Sequence, residues 1–395
     1  YNVIVDNSTI RSISISNLPK IFFRPYIYDV DNKGQYQSQK YFRPLVLISF
    51  AVDYQIYRLN PVGYHLTNVV FHIIYSVVVF LFLLSMIRDK KVALLVGVLS
   101  AIHPIHTEAV TYITGRCDIF VSLFCLMSIW MFLRYVTSGR KWYVWMSYMF
   151  YIMGLLSKEW AVIMPLYVGL VWWYMRGKEK VGRENVYRVL VGYVVMVVMY
   201  VLLRCVWLVP DNIGLVVNKQ MLIRVIQMIC VIILYLRLLM VPYPLYMDRH
   251  LPDISRIMWV GWLLVLIVVG MMIIIGIRGI KRRDRIGLGI MWFLIGLIPV
   301  SNIVKVIPSV AEHYLYFPSI GIFLIFGIGI VKVVRIEGRT RIIGIVGMVM
   351  YMMLLMWMTV ERNNDYRDSF KFFLMNSIYN PSVKIIDHLG DEYYY

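Results

Sequence analysis

Long apolar runs alternate with short polar islands along the chain, and that rhythm predicts a bundle of membrane-spanning helices. A bilayer core takes about 20 apolar residues of helix. The first visible run covers about residues 64–87, and a return segment covers 92–102. Further runs follow near 117–137, 142–156, 159–175 and 187–208. The second half adds runs near 220–241, 257–277, 286–303, 314–334 and 341–360. The predicted class is an all-α polytopic membrane protein with about ten visible spans. Three parts follow: a large first loop at 1–63, a bundle at 64–360 and a polar helical tail at 361–395.

The densest island runs from His103 to Asp118 and holds His103, His106, Glu108, Arg116 and Asp118. Pro104 ends the incoming helix, because the residue before proline is pushed out of the helical region. Charges beside lipid are costly unless they face protein or water. Two readings stand at this point: a functional site, or a hydrated loop whose charges pair with one another. The entrance to the first run repeats the theme. His65, Asn68 and His72 lie at i, i+3 and i+7 and share one helix face; packing and ligand contact both suit that stripe. Lys158 and Glu159 form either a local ion pair or part of a site between helices. Residues 1–63 are too long for an idle connection. Their aromatics and prolines predict an ordered loop, with a short surface-lying helix at Leu45–Tyr57.

Charge then orients the chain. The net charge is +18, yet the basic residues do not gather on a soluble face, so nucleic acid is not an expected partner. They sit in short clusters between runs, as cytosolic loops require. If every run crossed, the cluster Arg278–Arg285 would fall outside. The simplest repair makes 220–241, with Arg224, Gln227 and Arg237 inside it, a re-entrant or interfacial helix. Residues 88–91, 278–285 and 332–341 then face the cytosol. The first loop, the island, 157–159, 242–253, 301–313 and the tail all face the other side. The four cysteines lie in or beside apolar segments, with no metal or disulfide spacing. No cofactor is predicted; the carboxylates suit a divalent metal chemically, but none has ligand spacing. The chain begins at Tyr1, which reads as a fragment without its natural N-terminus.

Taken in order, the polar motifs carry a resemblance. They are Val5-Asp6-Asn7, Tyr41-Phe42-Arg43-Pro44-Leu45, Gly63-Tyr64-His65-Leu66 with Asn68 and His72, and His103-Pro104-Ile105-His106-Thr107-Glu108 with Arg116 and Asp118. Ser157-Lys158-Glu159, Pro242-Tyr243-Pro244-Leu245 and Ala311-Glu312-His313-Tyr314-Leu315-Tyr316 with Pro318, Ser319 and Gly321 complete the series. The series resembles the transmembrane and tetratricopeptide-repeat O-mannosyltransferases of the C-type glycosyltransferase superfamily. Leu389-Gly390 with Tyr393 matches the first part of a tetratricopeptide pattern, where the relatives' repeats begin.

The resemblance implies a C-type helical bundle with a large lumenal first loop in the endoplasmic reticulum membrane. A bacterial inner membrane with a polyprenyl donor is the alternative. It implies transfer of mannose from dolichyl phosphate mannose to Ser or Thr hydroxyls of lumenal proteins. The expected partners are therefore a polyprenyl-phosphate sugar donor, acceptor protein hydroxyls and membrane lipid. Such transfer needs a carboxylate to take the hydroxyl proton and positive charge or donors against the departing phosphate. Glu108, Asp118 and Glu312 are the candidate catalytic carboxylates. Arg43, Arg116, Lys158 and His313 are candidates for the phosphate, with His65, His103, His106, Glu159 and Tyr314 as further substrate contacts. The pattern departs from the family in two places. Tyr1 to Asn7 resembles the stretch just after an acidic pair that follows the first span in the relatives, so that pair is absent from this sequence, and a common Glu-Arg-Tyr reads Glu312-His313-Tyr314 here. Two other readings remain: a transporter, which would carry mid-span charges and internal repeats, and a membrane scaffold without activity.

Overall fold

A computed structural model describes residues 4–5, 8–11, 18–23, 27–30, 36–39, 41–207, 219–247, 249, 259–301 and 310–379. The tetratricopeptide-like stretch at 389–393 lies outside them, as do Asp6 and Asn7. The chain divides into two compact units. One comprises Tyr1–Val78 with Tyr112–Gly214, the other Val79–Thr111 with Leu215–Tyr395. The division falls inside the central island, so Glu108 belongs to the second unit and Arg116 to the first.

Helices fall where the apolar runs predict them. Five are long and apolar enough to cross a membrane: Pro61–Ile87, Ile113–Ser138, Arg183–Cys205, Leu263–Arg282 and Arg339–Asp365. A sixth results if Lys90–Ile102 and Pro104–Thr111, bent by 50°, count as one span. The remaining helices are shorter than the sequence runs. Pro165 opens the helix Met164–Met175, so residues 159–163 form a separate 3-10 turn. A second 3-10 turn, Ile298–Val300 with Pro299 near its start, follows the helix Arg285–Gly296. Lys219–Met240 is one continuous helix.

In the first unit, the opening loop is ordered around a 3-10 turn at Ser8–Arg11 and helices at Leu18–Phe23 and Pro44–Tyr57. A small departure from an all-α chain is an antiparallel hairpin, Ile27–Val30 with Tyr36–Gln39. The loop is pinned by a core of Ile10, Ile21, Val46, Leu47, Phe50 and Ala51 against Tyr64, Cys117 and Phe120. Full burial of such a side chain contributes about 1.5–3 kcal/mol. One face of Pro44–Tyr57 is thus buried in protein, while Val52 and Ile56 stay exposed. Helices Arg116–Ser138 and Trp142–Leu155 form a hairpin that turns at Gly139, whose φ of 77° suits glycine. Ser128 and Ser147 each donate to the other's backbone carbonyl at 2.7 Å, clasping the two helices.

In the second unit, Asp89 caps Lys90–Ile102 by accepting from the N–H of Val92. It also holds Arg285 at 3.3 Å and Arg335 at 3.2 Å. Contact between 89, 285 and 335 accords with the expectation that these basic clusters share one side. Gly321 explains itself: a Cβ there would overlap the carbonyl oxygen of Gly289, where helices Arg285–Gly296 and Ser319–Val334 touch backbone to backbone.

Candidate functional site

Each unit gathers its own polar cluster. The first unit's cluster is built on Arg116, which is fully buried at the start of its helix. Its Nε donates to Asn68 Oδ1 at 2.7 Å, Nη1 to Ser49 Oγ at 3.2 Å and Nη2 to the Tyr64 carbonyl at 3.1 Å. Nη2 also lies 2.6 Å from Asp53 Oδ2, and the guanidinium sits 4.5 Å above the Phe50 ring. Every guanidinium nitrogen therefore has a partner in this unit. The arrangement ties the first loop to two helices and makes Arg116 a positioning residue.

Beside it lies a half-buried group of charges. Lys158 Nζ is 2.6 Å from Asp118 Oδ1. Arg43 grips Glu159 with two nitrogens, Nε at 3.4 Å and Nη2 at 3.3 Å. Arg204 Nη2 stands 3.8 Å from the same carboxylate. Lys158 and Glu159 therefore do not form a local pair; each turns to a partner on another element, because the extended backbone of Lys158 sends neighbouring side chains apart. Burial works against the Lys158 charge, but Asp118 outweighs it and lifts the pKa above the ordinary lysine value. Burial alone would raise Glu159, yet Arg43 and Arg204 hold it down at about 2. The Lys158 and Glu159 charges thus persist at neutral pH. His65 is half-buried on Pro61–Ile87.

The second unit's cluster centres on Glu108, buried in the short helix Thr107–Thr111. Its Oε2 accepts the His313 backbone N–H at 3.0 Å, and its Oε1 lies 2.8 Å from His313 Nδ1. One carboxylate thereby fixes both the backbone and the ring of His313. Glu312, next in the chain, points elsewhere. Its Oε1 accepts from the Tyr246 N–H at 2.7 Å and from Arg249 Nη2 at 2.9 Å, while Arg362 Nη2 stands 3.9 Å from Oε2. Burial pushes the Glu312 pKa above the ordinary range; Arg362 and Arg249 oppose the rise and Glu108 adds to it. The Tyr314 ring is buried with its centroid 4.5 Å from that of His313.

The two island histidines are engaged on both ring nitrogens. His103 Nδ1 accepts from the Ile105 N–H at 3.2 Å, and its Nε2 lies 3.2 Å from the Leu239 carbonyl, which fixes the Nε2–H tautomer. His106 Nδ1 lies 2.8 Å from the Ser100 carbonyl and Nε2 3.0 Å from Ser319 Oγ. The motif Tyr316 to Ser319 is thus a docking turn: Ser319 touches His106, and the Phe317 carbonyl accepts from Trp292 Nε1 at 3.2 Å.

Sequence reasoning left Asp53, Arg204, Arg249 and Arg362 out of the site. Asp53 and Arg204 carried a signal, a charge set among apolar residues, which is costly unless paired. Arg362 stands in the polar end of the last span, and Arg249 lies in a loop whose composition says nothing of its partner. Among the described residues no group of three or more His, Cys, Asp or Glu is placed to hold a metal ion.

The fold and the clusters define a polytopic helical membrane protein with a cation-rich polar region in one unit and a charge-balanced one, holding an imidazole, in the other. The chain is similar to TMTC and related protein O-mannosyl-transferases. It is 25% identical over 363 residues to protein O-mannosyl-transferase F38B6.6 of Caenorhabditis elegans, covering 89% of this chain and 51% of that protein. It is 41% identical over 102 residues to mouse TMTC3, covering 26% of this chain and 11% of the relative. Drosophila melanogaster Tmtc1 matches at 35% over 144 residues, 36% of this chain and 16% of the relative. The chain thus spans at most about half the length of these relatives. No family model matches the chain, and no solved structure matches it.

Proposed function

We propose that the full-length protein transfers mannose from a polyprenyl phosphate donor, dolichyl phosphate mannose, to Ser or Thr hydroxyls of proteins in the endoplasmic reticulum lumen, on a C-type glycosyltransferase bundle. The observation that carries this reading is the match along 89% of the chain to a protein O-mannosyl-transferase. The geometry supports it with two chemistries. In the second unit, Glu108 holds His313 through Nδ1, which leaves Nε2 to take the acceptor proton. As the hydroxyl oxygen bonds to the anomeric carbon, the bond from that carbon to the phosphate oxygen breaks and its electron pair leaves with the phosphate. The proton goes to Nε2, where the Glu108 carboxylate steadies the imidazolium. In the first unit, Arg43, Lys158 and Arg204 outnumber the carboxylates Asp118 and Glu159. Taken by itself, that surplus of positive charge suits binding of a phosphate-bearing group. Exposed apolar faces on Arg183–Trp207 and Trp259–Arg282 suit the polyprenyl tail.

The test uses purified full-length protein, dolichyl phosphate mannose and a Ser/Thr-rich acceptor polypeptide, with added hexose read by mass spectrometry. Wild type is expected to transfer, and Glu108→Gln and His313→Ala to lose about 10²- to 10⁴-fold in rate. Undiminished transfer by both variants would overturn the assignment of the pair. No transfer by wild type to any lumenal acceptor would overturn the activity.

A further inference from the structure

The end of the second unit remote from Glu108 carries a dense basic rim that the transfer reaction does not use. Helix Arg339–Asp365 sets the separation: Arg362 stands near Glu312, while Arg339 lies 23 residues earlier, about 35 Å away along the helix. Residues 88–91, 278–285 and 332–341 hold twelve Lys and Arg against three Asp and Glu. Asp89 is committed to Arg285 and Arg335 and to its helix cap, and Asp284 to the cap of Arg285–Gly296. The rest of the rim is exposed and mostly cationic, including Lys90, Lys91, Arg282, Arg283, Arg339 and Arg341.

Two of the turns that form the rim are built against backbone preference. Arg88 has a φ of 54° and Arg283 a φ of 57°. Glycine adopts that left-handed region without strain, and an arginine side chain does not. The rim therefore bears a backbone cost at two positions and keeps positive charge at both. It also terminates apolar spans, so the guanidinium and ammonium groups stand at headgroup depth, where long basic side chains reach the interface.

We propose that this rim is a binding surface for anionic phospholipid headgroups of the adjoining leaflet, with Asp89 as the post that holds three chain segments together beneath it. A leaflet fits better than a soluble partner because the cations border the ends of apolar helices, where headgroups lie. Clusters of this density beside spans bind anionic lipid through several contacts that salt weakens.

The full-length protein is extracted in polymer-bounded lipid discs from membranes of phosphatidylcholine containing a minority of phosphatidylserine. The phosphatidylserine retained per protein is then measured. The fourfold variant Arg282→Gln, Arg283→Gln, Arg339→Gln and Arg341→Gln leaves the Asp89 contacts intact. It is expected to lose the enrichment about tenfold, while Arg140→Gln with Lys141→Gln in the first unit retains it. Equal enrichment in wild type and fourfold variant overturns the proposal. So does full competition by soluble inositol hexakisphosphate with no preference for phosphatidylserine, which would make the partner a soluble polyanion. If the fourfold variant fails to fold, the wild-type enrichment measured against salt decides: it must fall as salt rises, and a flat response overturns the proposal.

Discussion

The two polar clusters differ in charge balance and in the groups they hold. In the first unit Arg43, Arg116, Lys158 and Arg204 face Asp53, Asp118 and Glu159, one cation in excess. In the second, Arg249, Arg362 and the more exposed Lys371 face Glu108, Glu312 and Asp365, three against three, with the His313 imidazole among them. The first arrangement is weighted to cations, and the second is balanced around a carboxylate–imidazole pair. The contrast teaches that one sequence island, His103 to Asp118, serves two local environments, because the division between units falls within it.

The comparison breaks hardest at Asp53. Asp53→Ala removes the carboxylate 2.6 Å from the buried Arg116 guanidinium and should cost about 3–5 kcal/mol, read as lost thermal stability of detergent-solubilised protein. Stability within experimental error of wild type would show that Arg116 is not held as described. Gly321→Val should come next, forcing a Cβ into Gly289; overpacking of this kind costs about 1–3 kcal/mol or more. Arg43→Lys keeps the charge and removes the two-nitrogen grip on Glu159. It should raise the donor KM by about tenfold with little change in kcat, in a donor titration.

The smallest effects are those of pH. Glu159 is held down at about 2 from its ordinary 4.5, so its contribution to stability is present above 4.5 and lost as pH falls toward 2. Glu312 shifts the other way: its contribution is present at low pH and lost as pH rises through its raised value. Glu159→Gln should flatten the acid limb of an unfolding-versus-pH curve and Glu312→Gln the opposite limb. Exchange of these two responses would reverse the electrostatic contrast.

The sequence made the helices readable because apolar runs dominate them and charges bound them. The agreement of Arg116–Ser138 with the run at 117–137 is of that kind. Helix lengths were harder, since Pro165 and Pro299 convert apparent span into 3-10 turns. Candidate residues were legible as a set: Arg43, Glu108, Arg116, Asp118, Lys158, Glu159, Glu312 and His313 all fall in one cluster or the other. Their pairing was not. Nothing in the chain says that Glu159 turns to Arg43, 116 residues away, or that Arg249 meets Glu312. Long-range pairing depends on which helices pack together, and apolar periodicity in a membrane protein carries little of that.

The central claim is that the Glu108–His313 pair takes the acceptor proton in the proposed transfer, while the cation-rich cluster is assigned anion binding within its own unit. The most direct test is a donor titration of mannosyl transfer by full-length wild type, Arg43→Lys and Glu108→Gln, run side by side. The account predicts that Arg43→Lys raises donor KM with kcat nearly kept, and that Glu108→Gln lowers kcat with donor KM nearly kept. If both variants shift the same parameter, or neither shifts any, the division of labour is contradicted.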